Sequence, residues 1–493
     1  MTLTQEQENI VNSSLESFKI NAVAGSGKTT TLLLYAQKNP HLRILYLAYN
    51  KSLQIAILDK LKDFKLNNLS TSTIHSLAYN KTRAYNYQLT NELKAHILDR
   101  FLSYYELDIN QKTFYASNLY LAVLKDFINF YCNSSLIAID EKLLDSFIKQ
   151  SDFEAQYLEL INKEKKQLLV HLKAVLSAMK KGQLEATHDF YLKMYYLSKN
   201  LSKDIDYDLI LIDEAQDISD VMIAIVENFE KKRIYVGDSF QQIYSFRYAS
   251  NALNKINLPS YSLTTSFRFS NSYAKTLQAL LNKAYALNGK HELILNGIDC
   301  STKIGSEFID FKKPFTIISR TSFALIAEIV KYIHDKKKIY FEGGYSSYSF
   351  MNQTVYSIFY LKNRKNEKIT VDELKNFGSI YELETFAKET KNQEYLNIIK
   401  FINTYGDNIF EINKKIKDLV TTIKEEADII FTTTHKAKGM EYNQVIMTDD
   451  FITKKDILNT KKSLSFNQIN EELNIYYVAS TRAKSAISLA SLE

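Results

Sequence analysis

The sequence is poor in cysteine, glycine and proline, and it has no tryptophan. Its 493 residues include 2 cysteines, 12 glycines and 3 prolines. Two cysteines, Cys132 and Cys300, cannot build a disulfide framework, so we expect an intracellular protein. The sequence has no apolar run of about 18 residues, and its polar start lacks a signal-peptide core. These absences argue against a secreted protein and against a membrane-spanning one.

Charge and overall composition exclude fewer classes of protein. Lys+Arg 62 against Asp+Glu 56 gives a net charge of +6, which permits nucleic-acid binding without requiring it. Lysine clusters such as 180–181, 336–338 and 461–462 are typical of solvated faces. The 45% hydrophobic and 24% charged content is ordinary for a folded chain, and the length favours about three domains.

The predicted elements alternate between strands and helices, which indicates parallel α/β layers. Seven short runs are predicted strands: 18–23, 43–48, 207–212, 233–237, 315–319, 428–433 and 444–448. Two long stretches, 81–202 and 345–426, are helical in pattern instead. We therefore expect two α/β cores, each interrupted by a mainly helical insertion. The expected parts are a first core (1–80 and 203–258), its insertion (81–202), a second core (259–344 and 427–493) and a reduced insertion (345–426).

The first chemical motif is the glycine-rich run AVAGSGKTTTLLLYAQ at 22–37, which follows the predicted strand 18–23. Successive backbone N–H groups ahead of a helix form an anion cradle. Lys28 would reach the β and γ phosphates of ATP, and the Thr29 hydroxyl would ligate Mg²⁺. The strict phosphate-loop pattern fails at its first position, where Ala22 stands. The predicted ATP-binding residues of this run are Ala24, Gly25, Ser26, Gly27, Lys28, Thr29 and Thr30.

The second motif is YDLILIDEAQD at 207–217, an apolar strand that ends in adjacent carboxylates. Asp213 is placed to hold Mg²⁺, and Glu214 can polarise the attacking water as a general base. The alternative is an acidic cap of the following helix. That alternative weakens because a phosphate loop lies upstream. The same pairing disfavours four independent consecutive domains, since residues suited to one phosphate site lie on both sides of 81–202.

Together with VGDSFQQIYSFR (236–247), these motifs resemble those of the UvrD-like superfamily 1A DNA helicases. Further strings match in order: LTQEQ (3–7), LAYNK (47–51), TIHSLAY (73–79), LTTSFRFS (263–270), THKAKGMEY (434–442) and YVASTRAK (477–484). Several are most similar to the helicase part of the F-box DNA helicases. The resemblance implies two RecA-like P-loop NTPase cores. We expect no F-box segment before the motifs and, from the eleven residues after Arg482, no appended nuclease domain.

The resemblance also implies roles in nucleotide recognition. Gln7 would pair with the edge of adenine, and the Phe267 ring would stack on it, where the family often has tyrosine. Glu441 would bind the ribose. ATP with Mg²⁺ is the implied cofactor pair.

The catalytic residues implied by the resemblance are Lys28, Glu214, Gln241, Arg268 and Arg482. Gln241 resembles the γ-phosphate sensor. Arg268 and Arg482 resemble the arginines that neutralise the departing phosphate, a role worth about 10³–10⁵ in rate. The family places both arginines in the second core, facing ATP bound mainly to the first.

The DNA-binding residues implied by the resemblance are Tyr49, Asn50, Lys51, Thr73, His75, Tyr244, Phe246, Arg247, Thr434 and His435. An aromatic ring after Gln241 can stack on a base of single-stranded DNA. The family commonly has tryptophan where Phe246 stands, so we expect a weaker stack. His75 as a satisfied core histidine and Phe246 as a plain core residue stay open.

The resemblance implies an ATP-dependent, 3′-to-5′ single-stranded DNA translocase and helicase that steps about one nucleotide per closure of its two cores. One alternative is an ATPase that strips proteins from single strands. Another is a nucleotide-switched partner of a separate nuclease or recombination protein. RNA as a substrate stays open. The short 345–426 insertion argues against strong processive unwinding. We expect single strands and single-strand/duplex junctions as partners, no membrane, and a cytoplasmic location, nucleoid-associated if the source is prokaryotic.

Overall fold

A computed structural model describes residues 3–105, 107, 114–151, 153, 155–198, 201–245, 248–289, 292–348, 352–389, 392–460 and 464–492. The chain divides into two compact units, Met1–Thr264 and Thr265–Glu493. Each unit is built around a parallel sheet with helices packed against it, as expected when buried strands alternate with helices.

The first unit contains a six-stranded parallel sheet in the order β3-β2-β6-β7-β1-β8. A separate pair, β4 and β5, lies in the helical insertion. The strands of this unit are β1 (Phe18–Ala22), β2 (Ile44–Ala48), β3 (Leu69–Thr73), β4 (Leu89–Thr90), β5 (Ala186–Thr187), β6 (Leu209–Ile212), β7 (Lys232–Gly237) and β8 (Ser260–Leu263).

The helices of the first unit cover both faces of that sheet and form the insertion. They are α1 (Gln5–Val11), α2 (Lys28–Lys38), α3 (Lys51–Phe64), α4 (Ile74–Lys81), α5 (Ala95–Tyr104), α6 (Phe114–Asn133), α7 (Glu141–Gln150), α8 (Ala155–Lys163), α9 (Lys165–Lys180), α10 (His188–Tyr196), α11 (Asp220–Glu227) and α12 (Ala252–Lys255). The insertion has a hydrophobic core of its own, centred on α6 and α9.

The second unit contains another six-stranded parallel sheet in the order β11-β16-β15-β12-β14-β13, with β9 and β10 paired beside it. Its strands are β9 (Thr265–Ser270), β10 (Asn296–Ile298), β11 (Lys303–Ile304), β12 (Phe315–Ser319), β13 (Ile339–Phe341), β14 (Ile429–Thr433), β15 (Tyr442–Met447) and β16 (Ala483–Ser488).

The helices of the second unit are α13 (Asn271–Ala286), α14 (Ser322–Tyr332), α15 (Gln353–Lys362), α16 (Asp372–Lys375), α17 (Ile380–Glu389), α18 (Gln393–Tyr405), α19 (Asn408–Leu419), α20 (Thr434–Ala437), α21 (Lys454–Thr460) and α22 (Phe466–Ser480). Helices α15–α19 share one hydrophobic core with the sheet, since Val355 and Ile398 pack in the same cluster as Ile317 and Phe431. The second insertion therefore depends on its sheet more than the first does.

The expected α/β class with two parallel sheets is confirmed, and each of the seven predicted strands overlaps an observed one. The expected start of the second core at 259 is wrong, because β8 pairs with β1 in the first sheet. Within the stretch 81–202, α8 and α9 are two helices separated at Glu164. Among the described helices, none has the length and apolar character that crossing a bilayer requires.

Candidate functional site

The glycine loop has the backbone of a phosphate cradle. Strand β1 ends at Ala22, and α2 begins at Lys28. Between them Gly25 and Gly27 have φ of 72° and 76°, a left-handed conformation that only glycine adopts without strain. The Ser26 hydroxyl is buried and has no hydrogen-bond partner among the described residues. An orphaned buried hydroxyl in front of a helix N-terminus fits a phosphate oxygen as its partner.

The acidic motif lies beside this loop. The Lys28 Nζ is 3.6 Å from Glu214 Oε1. Tyr46 on β2 donates a hydrogen bond to the buried Asp213 carboxylate and also interacts with the Thr29 side chain. Burial and the adjacent Glu214 charge raise the pKa of Asp213, while Lys28 opposes that shift. The structure thus brings Lys28, Thr29, Asp213 and Glu214 together, and these donors fit ATP with Mg²⁺.

A buried glutamine connects the acidic motif to the next strand. Gln216 Nε2 donates to Glu214 Oε2 at 2.5 Å and to Asp217 Oδ2 at 3.1 Å, while its Oε1 accepts from the Asp238 N–H at 3.0 Å. Gln241 Nε2 then donates to Asp238 Oδ2 at 2.7 Å. This chain of hydrogen bonds joins the predicted general base to the predicted phosphate sensor.

Two backbone features show how tightly that connection is built. Glu214 has φ of 53°, a left-handed conformation that is strained for a residue with a side chain. A Cβ on Gly237 would stand 2.2 Å from Gln216 Oε1, so only glycine admits this amide. Strain at a predicted general base, held by surrounding hydrogen bonds, is typical of a preorganised site.

Gln7 lies close to the glycine loop, and both ends of its side-chain amide already make hydrogen bonds within the chain. Its Oε1 accepts from the Thr4 N–H at 3.1 Å as part of a capping box, and its Nε2 donates to Thr31 Oγ1 at 3.2 Å. Each end of an amide can make one further hydrogen bond. The second hydrogen bonds are the ones that could read an adenine edge.

In the second unit, Arg268 and Glu441 form an ion pair. Arg268 Nε lies 3.3 Å from Glu441 Oε2, and its Nη1 donates to the Thr481 carbonyl at 2.6 Å. Burial lowers the pKa of Arg268. Burial alone would raise the pKa of Glu441, but Lys484 and Arg268 lower it on balance. Phe267 next to Arg268 is 38% exposed, which suits a ring that stacks on a base.

Arg482 is buried, with 2% of its surface exposed. Its Nε donates to the Val478 carbonyl at 2.8 Å, its Nη1 to the Met440 carbonyl at 3.1 Å, and its Nη2 to Thr481 Oγ1 at 3.0 Å. Both predicted catalytic arginines of this unit therefore meet at Thr481. These three hydrogen bonds use one donor on each guanidinium nitrogen, and Nη1 and Nη2 each carry a second N–H group.

Several predicted DNA-binding residues of the first unit lie at the carboxyl ends of β2 and β3. The Tyr49 and Tyr244 rings stack, with centroids 5.9 Å apart and planes inclined by 17°. Asn50 caps α3 by accepting from the Leu53 N–H, and the exposed Lys51 contacts Gln54.

The next pair, Thr73 and His75, is less accessible. Thr73 is buried and caps α4 through the Ser76 N–H. His75 has a 29% exposed side chain and lies 3.4 Å from Asp189 of α10. It is therefore a partly exposed, partnered histidine and not a fully buried one.

The second unit contains two predicted DNA-binding residues in the described part of the chain, and one of them is poorly placed to bind DNA. Thr434 is fully buried, and its hydroxyl donates to the Ser319 carbonyl at 3.2 Å. Its side chain cannot contact DNA in this conformation. His435 beside it is partly exposed. Phe246 and Arg247 lie outside the described residues.

A family model described as the UvrD/REP helicase N-terminal domain matches residues 3–257, more than half of the chain. The chain belongs to the UvrD/REP helicase family. F-box DNA helicase 1 of Gallus gallus is 29% identical over 526 residues, covering 100% of this chain and 49% of that protein. F-box DNA helicase protein 1 of Schizosaccharomyces pombe is 30% identical over 528 residues, covering 99% and 57%. The chain thus spans about half the length of these curated relatives.

These matches confirm the resemblance inferred from the motifs, and the enzyme class is confirmed at the level of the helicase family. The roles of individual residues stay predictions. Sequence reasoning assigned no role to four residues that contact the predicted site residues in the structure: Tyr46, Gln216, Asp238 and Thr481. All but Tyr46 lie within motifs already quoted, so position in a motif could have indicated them. Tyr46 offers only a weak signal, a hydroxyl within an apolar strand.

Proposed function

We propose that this member of the UvrD/REP helicase family couples ATP hydrolysis to 3′-to-5′ movement along single-stranded DNA and to strand separation at junctions. The observation that supports it most is the assembly of the glycine loop, Asp213 and Glu214 at one edge of the first sheet. A pure binding module has no need of a carboxylate held on a strained backbone beside a phosphate cradle.

In the proposed reaction, Lys28 and the loop N–H groups bind the phosphates of ATP. Thr29 and Asp213 would hold Mg²⁺, which when bound neutralises charge on the phosphates. Glu214 orients and polarises the attacking water, and Gln216 keeps its carboxylate in place. Gln241 senses the γ-phosphate.

The arginines of the second unit complete the proposal. Arg268 and Arg482 are buried guanidinium groups, and such groups stabilise charge that develops on a transferring phosphate. Glu441 would bind ribose, and Phe267 would stack on adenine. We infer that the two units grip the strand alternately as ATP is bound and hydrolysed. Opening one base-pair step costs on average about 1.4 kcal/mol, which one forward step can trap.

The test is steady-state ATPase activity of the intact chain with no nucleic acid, single-stranded DNA, duplex DNA or RNA. We expect strong stimulation by single-stranded DNA. Negligible turnover with stoichiometric nucleotide binding would instead identify a nucleotide-switched partner, and equal stimulation by RNA would remove the DNA assignment.

Direction and unwinding need forked substrates. Release of a strand from a duplex with a 3′ tail, and not from one with a 5′ tail, is the expected result. Removal of a bound protein from single-stranded DNA without strand release would identify a protein-stripping ATPase instead.

A further inference from the structure

The helical insertion of the first unit carries a short loop whose backbone is held from the inside. This tethered loop, residues 134–138, connects α6 to α7. The carbonyls of four consecutive residues each accept a hydrogen bond from a side chain. Lys193 Nζ donates to Ser134 O at 2.7 Å and to Leu136 O at 2.5 Å. Tyr196 donates to Ser135 O at 3.0 Å, and Tyr131 donates to Ile137 O at 3.0 Å.

The main tether is a buried cation. Lys193 of α10 has no exposed surface, and its ammonium lies 4.3 Å from the centre of the Tyr131 ring and 5.3 Å from that of Tyr196. Burial lowers its pKa to about 8. Charged donors make stronger hydrogen bonds than neutral ones, so this ammonium fixes the two carbonyls firmly.

The tethered loop turns apolar side chains outward. Ile137 is 65% exposed and Leu136 is 37% exposed. Single exposed apolar residues are common on protein surfaces and need no explanation. Here two adjacent ones lie on a backbone in which the carbonyls of residues 134–137 each accept a hydrogen bond from a side chain, so the loop cannot turn them into the core without breaking those hydrogen bonds.

The residue before the tethered loop is linked to a predicted DNA-binding residue. Asn133, the residue before it, donates from Nδ2 to Asp189 Oδ2 at 2.9 Å. The other oxygen of Asp189 lies 3.4 Å from His75 Nε2. A single carboxylate therefore links Asn133, which directly precedes the loop, to His75, one of the DNA-binding residues that the family resemblance implies.

We propose that Leu136 and Ile137 form an apolar contact for the bases of DNA at a single-strand/duplex junction. Rigidly held Leu and Ile side chains can insert against or between base steps, which have apolar faces once unstacked. This proposal deepens the proposed function by adding a contact to bases beside the DNA contact that the family resemblance implies at His75, and it depends on that function.

The first test compares the double variant Leu136→Ser/Ile137→Ser with the control Val170→Ser in the full chain. Val170 is 51% exposed on α9 of the same insertion and has no assigned role. Binding is measured by fluorescence with a forked duplex carrying 2-aminopurine at the first unpaired base. We expect the double variant to bind the fork about tenfold more weakly, equivalent to about 1.4 kcal/mol, and the control to bind like the wild type. Fork affinity of the double variant within twofold of the wild type would overturn the proposal.

A second measurement does not depend on a loss of binding. A photo-crosslinking amino acid at position 137 should crosslink to bases near the junction, and one at position 170 should not. Crosslinking to a second copy of the chain in place of DNA would assign the loop to a protein contact and overturn the proposal. Tyr196→Phe, which removes one tether and neither apolar side chain, should give a smaller loss of fork affinity.

These outcomes are separable from failure of the proposed function. Absence of DNA-stimulated ATPase in the wild type would remove the motor, whereas crosslinking at position 137 needs no hydrolysis. Circular dichroism and thermal melting of each variant exclude unfolding as the cause of a loss.

Discussion

The charged clusters of the two units lie at opposite kinds of strand end. In the first unit, the glycine loop, Asp213 and Asp238 follow the adjacent strands β1, β6 and β7, at their carboxyl ends. In the second unit, Glu441 and Arg482 directly precede the adjacent strands β15 and β16, at their amino ends.

This difference explains the charge of each cluster. A helix begins after the carboxyl end of a strand, so its free N–H groups suit anions such as phosphate. A helix ends before the amino end of the next strand, so its free carbonyls suit cations. Arg482 and Arg268 donate to Val478 and Thr481 at the end of α22. The carboxyl ends of the strands in the first unit therefore suit phosphate, and the amino ends of the strands in the second unit hold guanidinium groups.

The largest loss of ATPase turnover should come from a substitution at the start of α2, beside the glycine loop. We expect Lys28→Ala to abolish measurable DNA-stimulated turnover, because removing one donor aimed at developing charge alone costs about 10²–10³ in kcat. The control is Lys38→Ala in the last turn of the same helix, where the ammonium contacts Asn12. Steady-state ATPase assays measure both, and comparable losses would show that the effect is not specific to the cradle.

A substitution in the arginine cluster at the amino ends of the second unit's strands should reduce ATPase turnover almost as much. Arg482→Ala should reduce turnover by about 10³ or more while ATP still binds. ATPase rates and equilibrium binding of a fluorescent ATP analogue separate these two effects. A loss of less than tenfold would show that Arg482 has only the structural role implied by its three hydrogen bonds to neutral oxygens.

A substitution inside the acidic network tests whether its hydrogen bonds matter for turnover. Gln216→Leu removes the partner of Glu214 and of the Asp238 N–H, each worth about 1–3 kcal/mol when left unsatisfied. We expect kcat to fall about tenfold to a hundredfold, with little change in KM for ATP.

The matched control is Gln444→Leu in the second unit. Gln444 is a buried glutamine that bonds the backbone at Asp310 and Pro314. It should lower thermal stability without a specific loss of kcat. An unchanged kcat in Gln216→Leu would show that the network only stabilises the fold.

The stacked pair Tyr49 and Tyr244 should control the affinity for single-stranded DNA more than the rate of ATP hydrolysis. Tyr49→Ala and Tyr244→Ala should each weaken single-stranded DNA binding by about fivefold to a hundredfold, the cost of about 1–3 kcal/mol per stacked base. Because the rings contact each other, the double variant should lose less than the sum. Fluorescence anisotropy measures each affinity, with Tyr104→Ala, a 79% exposed ring in the insertion, as control. Additive losses would show that the rings act independently.

The smallest effect concerns Lys193, a third cation held by carbonyls. Burial lowers its folded-state pKa to about 8, with Cys132 acting in the opposite direction, while an unfolded lysine keeps its proton up to about pH 10.4. Between these values the unfolded state binds more protons at this lysine, so its contribution to the free energy of unfolding should rise with pH by up to about 1.4 kcal/mol per unit. Burial raises the pKa of Cys132 and of several tyrosines, and these groups lower the free energy of unfolding as pH rises. Urea unfolding from pH 7 to 10 should therefore show the free energy of unfolding of the wild type rising relative to that of Lys193→Met. Equal slopes would mean that the lysine is not neutralised in the folded state.

Sequence reasoning located the apolar strands and the strand-to-loop motifs well. Runs such as YDLILI and FTIIS are rich in apolar residues, and the strands within them, β6 and β12, are buried at every position. It missed β3 (LSTST) and β16 (AKSAIS), whose polar residues hide the pattern. It also placed β8 in the wrong core, because nothing in a four-residue strand says which sheet it joins.

Within the site, residues whose chemistry follows from the local chain were the easiest to predict. The glycines and Lys28 belong to one turn, and their role follows from backbone geometry. Thr434 has the right residue type for a phosphate contact, but its hydroxyl is buried against Ser319. Burial depends on neighbours far along the chain, which a motif does not describe.

The sequence by itself determined the phosphate loop, the paired carboxylates and the family, because each depends on residues a few positions apart. Only the tertiary structure decided that Gln216 joins two strands through hydrogen bonds, that carbonyls hold the arginines, and that a buried lysine binds the carbonyls of Ser134 and Leu136. Those features arise where segments distant in sequence meet, and there distance and burial, not residue type, set the energy of an interaction.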